Sequence, residues 1–153
     1  MSKAQSAEIP ILSTSPFQDD HGALEAIFLW HSGAKPNWKL HTSATLQAAT
    51  ALLRTGQIPV LISECDLRPG SWKEPLEEMA GTPHSPALIV TPRLADERLW
   101  VEVLNLGGWD VLVKPFERTE VIRVVESAWR HWQNRQQSPA RAHEAWVTAS
   151  AGL

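Results

Sequence analysis

The sequence predicts an α/β domain: a doubly wound, five-stranded parallel sheet of order 2-1-3-4-5, with helices on both faces. Three observations lead there. Five short apolar runs of strand length alternate with five segments of helical period, the arrangement that right-handed crossovers between parallel strands require. Runs such as Ile58-Pro59-Val60-Leu61-Ile62 and Pro86-Ala87-Leu88-Ile89-Val90-Thr91 are apolar nearly throughout, as strands covered on both faces are. A chain of 153 residues, 43% hydrophobic and 20% charged, is long enough to bury one core and too apolar to be disordered. The expected layout is a short tail over 1–8, one domain over 9–133 and a C-terminal tail over 134–153.

Each element has its own warrant. Ile9 to Thr14 reads as the first strand, with Pro10 tolerated at its start. Asp19 or Asp20 is placed to cap a helix carrying Leu24, Ile27, Phe28 and His31 on one stripe, stopped by Gly33. Trp38 to His41 is a short second strand, after which Thr42 or Ser43 caps a helix with Leu46, Ala49, Thr50 and Leu53 in phase, ended by Gly56. The third strand is the run Ile58 to Ile62. A loop from Glu64 to Ser71, with Pro69-Gly70 as its turn signal, leads to a helix over about Trp72 to Ala80, with Pro75 in its first turn. The fourth strand is Pro86 to Thr91, and Ala95 to Leu106 is a helix closed by Gly107-Gly108. Val111 to Val113, in an apolar run from Asp110, is the fifth strand. The last helix begins near Arg118, with Val121, Val124, Val125, Ala128, Trp129 and Trp132 on one stripe.

Bulk properties exclude several classes. A net charge of −3 offers no general attraction to nucleic acid or to anionic membrane. A single cysteine, Cys65, rules out an intramolecular disulfide framework and suits a reducing cytoplasm. Met1 to Glu8 holds no apolar run of the kind a signal peptide carries, and no stretch approaches the ~20 apolar residues of a membrane span. Eight tryptophans and no tyrosine point to apolar filling and to nothing more specific. His21, His31, His41, His84, His131 and His143 are scattered, none at a metal-ligand spacing. No metal and no cofactor is expected.

In a sheet of this order, the ends of the first, third, fourth and fifth strands meet at one edge, where open α/β folds place their ligand sites. Ser15 and Pro16, Glu64, Thr91 and Lys114 are therefore expected to be neighbours. Lys114 is followed by Pro115, so its peptide bond is of the one type for which the cis isomer is cheap. The strand ends Ile89-Val90-Thr91 and Leu112-Val113-Lys114-Pro115-Phe116, set into five βα units, resemble the receiver domain of bacterial two-component response regulators. The resemblance spans about Ile9 to Gln133 and implies the flavodoxin-like topology. In that family a Thr or Ser and a Lys bind the phosphoryl group carried by an Asp at the end of the third strand. Two acids after the first strand help that Asp hold Mg²⁺. Such a cation is needed because a carboxylate nucleophile meets an anionic donor.

The chain departs from the pattern at each acidic position. Ser15-Pro16 stands where the acid pair is expected, and Glu64 where the phosphoacceptor is. Val111 occupies the position of the family's aromatic switch; Trp109, two residues earlier, is assigned to the same strand face by alternation. The resemblance thus implies a pseudo-receiver that does not carry out phosphotransfer, with Glu64 paired to Lys114. Glu64 as an imitation of a phosphorylated Asp, and Glu64 as a plain structural ion pair, both stay open. Two other readings compete. A phosphorylatable single-domain regulator would use a rearranged acid cluster of Asp19, Asp20 and Asp66. A thiol enzyme would use Cys65 and needs a base within reach.

What such a domain offers a partner is a face. The surface of the fourth helix, fifth strand and last helix is expected to include Arg98, Trp100, Glu102, Trp109, Arg118 and Arg130, with Trp100, Trp109 and Arg118 as the interface candidates. The partner would be a histidine kinase, a downstream signalling protein or a second copy of the chain. After Gln133 the ~20 remaining residues are too few for an output domain, so a stand-alone module is expected. Ser138-Pro139 is a helix-start signal ahead of Trp146.

Overall fold

The computed structural model describes residues 8–33 and 37–137; residues 1–7 of the N-terminal tail and the Ser138–Trp146 helix signal lie outside the described residues. The chain alternates strand and helix throughout: β1 (Ile9–Thr14), α1 (Gln18–His31), β2 (Trp38–Ser43), α2 (Leu46–Leu53), β3 (Val60–Glu64), α3 (Lys73–Glu78), β4 (Ala87–Thr91), α4 (Glu97–Asn105), β5 (Asp110–Val111) and α5 (Arg118–Gln137). The five strands form one parallel sheet in the order β2-β1-β3-β4-β5, as the sequence predicts.

Alternation along β3 divides the core. Val60 and Ile62 face the side covered by α1 and α5, where Ile11, Leu24, Ile89, Val121, Val125 and Ala128 are buried with them. Leu61 faces the other side, with Leu12, Ala49, Leu53, Leu88 and Val103. Fully burying a Leu, Ile or Val side chain contributes about 1.5–3 kcal/mol, so these two layers hold the domain. Polar positions on the strands collect at their carboxyl ends: Thr14, Ser15, Ser63, Glu64 and Thr91 are all buried.

Several boundaries move from where local signals put them. β2 runs on through Thr42 and Ser43, because both stay paired in the ladder with Ser13 and Thr14 of β1. Pairing overrides their capping propensity, and Thr45 caps α2 instead, accepting from the Ala48 N–H at 3.2 Å. Asp96 caps α4, accepting from the N–H groups of Arg98 and Leu99. β5 is reduced to Asp110–Val111, although Leu112 N–H still donates to Val90 O and Lys114 N–H to Pro92 O, both at 2.9 Å. α5 continues beyond Gln133, and Arg135 donates to the carbonyls of Thr82 and Ser85 in the loop before β4.

Two expectations are corrected. The N-cap of α1 is Phe17, not Asp19 or Asp20. The Ser15 hydroxyl takes the Phe17 N–H at 3.0 Å, so the helix starts earlier and Asp20 turns inward from its first turn. Trp109 and Val111 do not share a face: Trp109 packs on the α1/α5 layer and Val111 on the opposite layer. Trp109 precedes the two-residue strand, so the strict alternation that would align the pair does not apply.

Candidate functional site

The carboxyl ends of β1, β3, β4 and β5 converge as the topology requires. Glu64, the last residue of β3, is paired in register with Thr91, the last of β4. Lys114 follows β5 and is joined to Pro115 by a cis peptide bond. Its side chain crosses the edge and its ammonium donates to both Glu64 Oε1 and Asp20 Oδ2, the latter at 2.6 Å. Glu64 is 3% exposed and Asp20 9%. At such burial an unpaired charge is costly, so the three groups are bound to one another by electrostatics as much as by geometry.

Both carboxylates accept a further hydrogen bond. Glu64 Oε2 accepts from the Asp66 N–H at 2.6 Å, and the Ser15 hydroxyl donates to Asp20 Oδ2 at 2.6 Å. Behind Asp20, the buried His21 contacts the Ser15 carbonyl through Nε2 at 2.9 Å and Ser13 Oγ through Nδ1 at 3.4 Å. A carbonyl can only accept, so Nε2 carries the proton in that contact. Phe17 closes the top of the edge: the Lys114 ammonium lies 5.3 Å from its ring centroid and the Arg93 guanidinium 4.8 Å. Phe17, Asp19, Asp20, Arg93, Lys114 and Pro115 line an open cleft of about 510 Å³ there.

Of the residues singled out in the sequence, Ser15, Glu64 and Lys114 meet, linked through Asp20. Pro16 is exposed and adds no side-chain ligand. Thr91 is buried at the edge, but its hydroxyl donates to the Ser63 carbonyl at 3.3 Å. Asp19, Asp20 and Asp66 do not assemble as one cluster. Asp20 alone enters the Lys114 contact; Asp19 stays exposed on the cleft rim, and Asp66 turns outward to Arg68 at 2.9 Å. Asp20 was singled out only for the rearranged acid cluster and not as a partner of Lys114, and His21, Phe17 and Arg93 were missed as site residues. A signal existed for two of them: Asp20 and His21 fall in helical phase with Leu24, Ile27 and Phe28, and polar groups on a buried stripe need partners.

The edge does not fit the Mg²⁺ site that the resemblance implies. Mg²⁺ takes oxygen ligands in near-octahedral geometry, several of them usually water. Here an ammonium stands between the two carboxylates, and Asp20 Oδ2 already accepts from both Lys114 and Ser15. Among the described residues, no group of three or more His, Cys, Asp or Glu side chains is gathered where a metal ion could be held. Nor does the edge suit thiol chemistry. Burial first, then the charges of Glu64 and Asp66, pushes the Cys65 thiol above its ordinary pKa, which opposes thiolate formation.

The proposed interface residues separate into two kinds. Trp100 is 48% exposed on α4, its indole N–H reaching Asp110 Oδ1 at 3.4 Å. Arg118 is exposed and stacks on the ring of Trp30, 3.9 Å from its centroid. Trp109, by contrast, is half-buried, donates to Ser127 Oγ at 3.0 Å and stacks on His131. Arg98 is exposed, Glu102 pairs with Lys73 at 2.6 Å, and Arg130 pairs with Glu126 at 3.2 Å.

No family model and no curated protein matches the chain. Solved structures do. A signal receiver domain of an HD domain-containing protein from Pseudomonas fluorescens Pf-5 superimposes with a TM-score of 0.71 at 17% identity, over 90% of this chain and 98% of that one. A signal receiver domain of a putative Luxo repressor protein from Vibrio parahaemolyticus gives 0.71 at 14% identity, over 86% and 97%. The beryllofluoride-activated NtrC4 receiver domain dimer gives 0.69 at 18% identity, over 80% and 98%. The chain therefore has the fold of response regulator receiver domains. At such identities the likeness concerns the backbone, and the chemistry must be argued from the side chains at the edge.

Proposed function

We propose that the chain is a pseudo-receiver, acting in signal transduction through protein–protein contacts without phosphorylation of an Asp. One observation carries this reading: the side chain at the phosphoacceptor position, Glu64, is buried with both oxygens engaged, one by Lys114 and one by the Asp66 N–H. Phosphoryl transfer needs an accessible nucleophile and a cation to offset the donor's charge. Glu64 serves here as a structural partner of Lys114. The protein is assigned to the cytoplasm, with a histidine kinase, a downstream signalling protein or a second copy as its partner. Trp100 and Arg118, both exposed, are the residues on which such a contact would be anchored.

A second reading has one observation in its favour: Asp20 brings a carboxylate to the edge beside Lys114. In that reading the chain is a phosphorylatable regulator whose acids are rearranged over Asp19, Asp20 and Asp66. Incubation with a small phosphodonor and Mg²⁺, followed by intact mass measurement, separates the two. An unchanged mass is expected; a gain of one phosphoryl group would establish the second reading.

A further inference from the structure

We propose that Lys114 is the resident cation of the carboxyl edge. Its ammonium, bracketed by Asp20 from α1 and Glu64 from β3, offsets the carboxylate charge that a divalent ion would otherwise offset, and holds the edge in one arrangement that Mg²⁺ does not alter. The inference deepens the pseudo-receiver reading and rests on it.

Two buried carboxylates that approach a common point repel one another, and a cation between them offsets that repulsion. The chain supplies that cation itself. Asp20 and Glu64 come from different elements, and both reach the same Nζ. One ammonium between two carboxylates leaves one formal negative charge. Three features offset it: the Ser15 hydroxyl on Asp20, the Asp66 N–H on Glu64, and the position of Asp20 in the first turn of α1, at the positive end of the helix dipole. The Phe17 ring lies over the ammonium and limits its hydration. A second cation entering the cleft would meet the Lys114 ammonium and the Arg93 guanidinium that line it, and like charges at short range repel. Asp20 is thus a positioning residue for Lys114, supplied by a helix where an acid of the β1 loop would have served a metal.

The test is ion dependence of stability, with amide NMR as a second readout. Wild-type protein should melt at the same temperature with and without millimolar Mg²⁺, and the amide signals of Asp20, Glu64 and Lys114 should not move. Lys114→Ala leaves Asp20 and Glu64 facing each other without a cation. It should melt lower than wild type, and Mg²⁺ should restore part of the loss, because an ion that binds only the folded state stabilises it. Should Lys114→Ala fail to fold, Lys114→Gln, an uncharged side chain one atom shorter that still donates hydrogen bonds, should show the same new ion response. Adding Asp20→Asn to either variant should abolish that response. A rise in wild-type melting temperature with Mg²⁺ would overturn the proposal, as would folded Lys114 variants indifferent to the ion. A Mg²⁺ response of the wild type without any gain of mass from a phosphodonor would sink this proposal and spare the pseudo-receiver reading. A phosphoryl gain would sink that reading first.

Discussion

The Lys114 ammonium donates a 2.6 Å hydrogen bond to Asp20, a carboxylate carried by the first turn of α1 and not by the loop that follows β1. That bond joins residues 94 positions apart, and together with the Glu64 contact it ties the start of α1 to the ends of β3 and β5. The edge is therefore a structural junction as well as a candidate site.

Glu64→Gln should destabilise the protein by about 1–3 kcal/mol. Glu64 accepts from two donors, the Lys114 ammonium and the Asp66 N–H, on its two oxygens. Glutamine offers one acceptor oxygen and turns an amide N–H₂ toward the other donor, which loses its partner in a buried place. Urea unfolding of the two proteins measures the difference; an unshifted midpoint would remove Glu64 from the account of the edge.

The two tryptophans near β5 should respond differently to truncation. Trp109→Ala should cost about 2–4 kcal/mol, since it empties a packed position and breaks the bond to Ser127. Trp100→Ala should stay within about 1 kcal/mol, because almost half of that side chain already meets solvent. If α4 anchors a partner, only Trp100→Ala weakens association at unchanged stability. Denaturation curves and sedimentation velocity on both variants distinguish the roles.

Cys65 should react slowly with a thiol-alkylating reagent at neutral pH. Burial and the neighbouring Glu64 and Asp66 charges raise its pKa, so little thiolate is present, and the rate should climb as the pH rises toward the elevated value. Rapid, selective alkylation at pH 7 would contradict this and revive a nucleophilic role.

His131 should make stability fall as the solution is acidified. Burial against Trp109, and next the charge of Arg135, lowers its pKa in the folded state. The unfolded chain, with a histidine pKa of about 6.5, then binds more protons than the folded one below that pH. Stability from this group is full above pH ~6.5 and is lost as the pH drops from there toward the folded pKa. His131→Gln should flatten the dependence of the urea midpoint over that window, while the carboxylate transitions at lower pH remain. An identical pH profile in the variant would refute the assignment.

Legibility in the sequence tracked the range of the interaction. Strand existence and order followed from apolar runs and helical periods, which are local properties of the chain. Boundaries failed where a neighbour intervened: Thr42 and Ser43 have capping chemistry, yet their pairing with β1 keeps them in a strand. At the edge, Glu64 and Lys114 could be placed together because the sheet order dictates which strand ends meet. Asp20 could not be placed there by the same reasoning, since its local context fits a helix cap equally well.

By itself the sequence determined the doubly wound sheet, the carboxyl edge as the place to look, and the absence of an acid pair directly after β1. Only the tertiary structure decided that Asp20 points inward, that Phe17 and Arg93 roof the edge, and that Trp109 packs on the layer opposite Val111. The physical reason is that backbone pattern is set by near neighbours in the chain. The direction a charged side chain takes is set by whichever opposite charge the fold brings within about 3 Å, and that partner is invisible until the strands are in place.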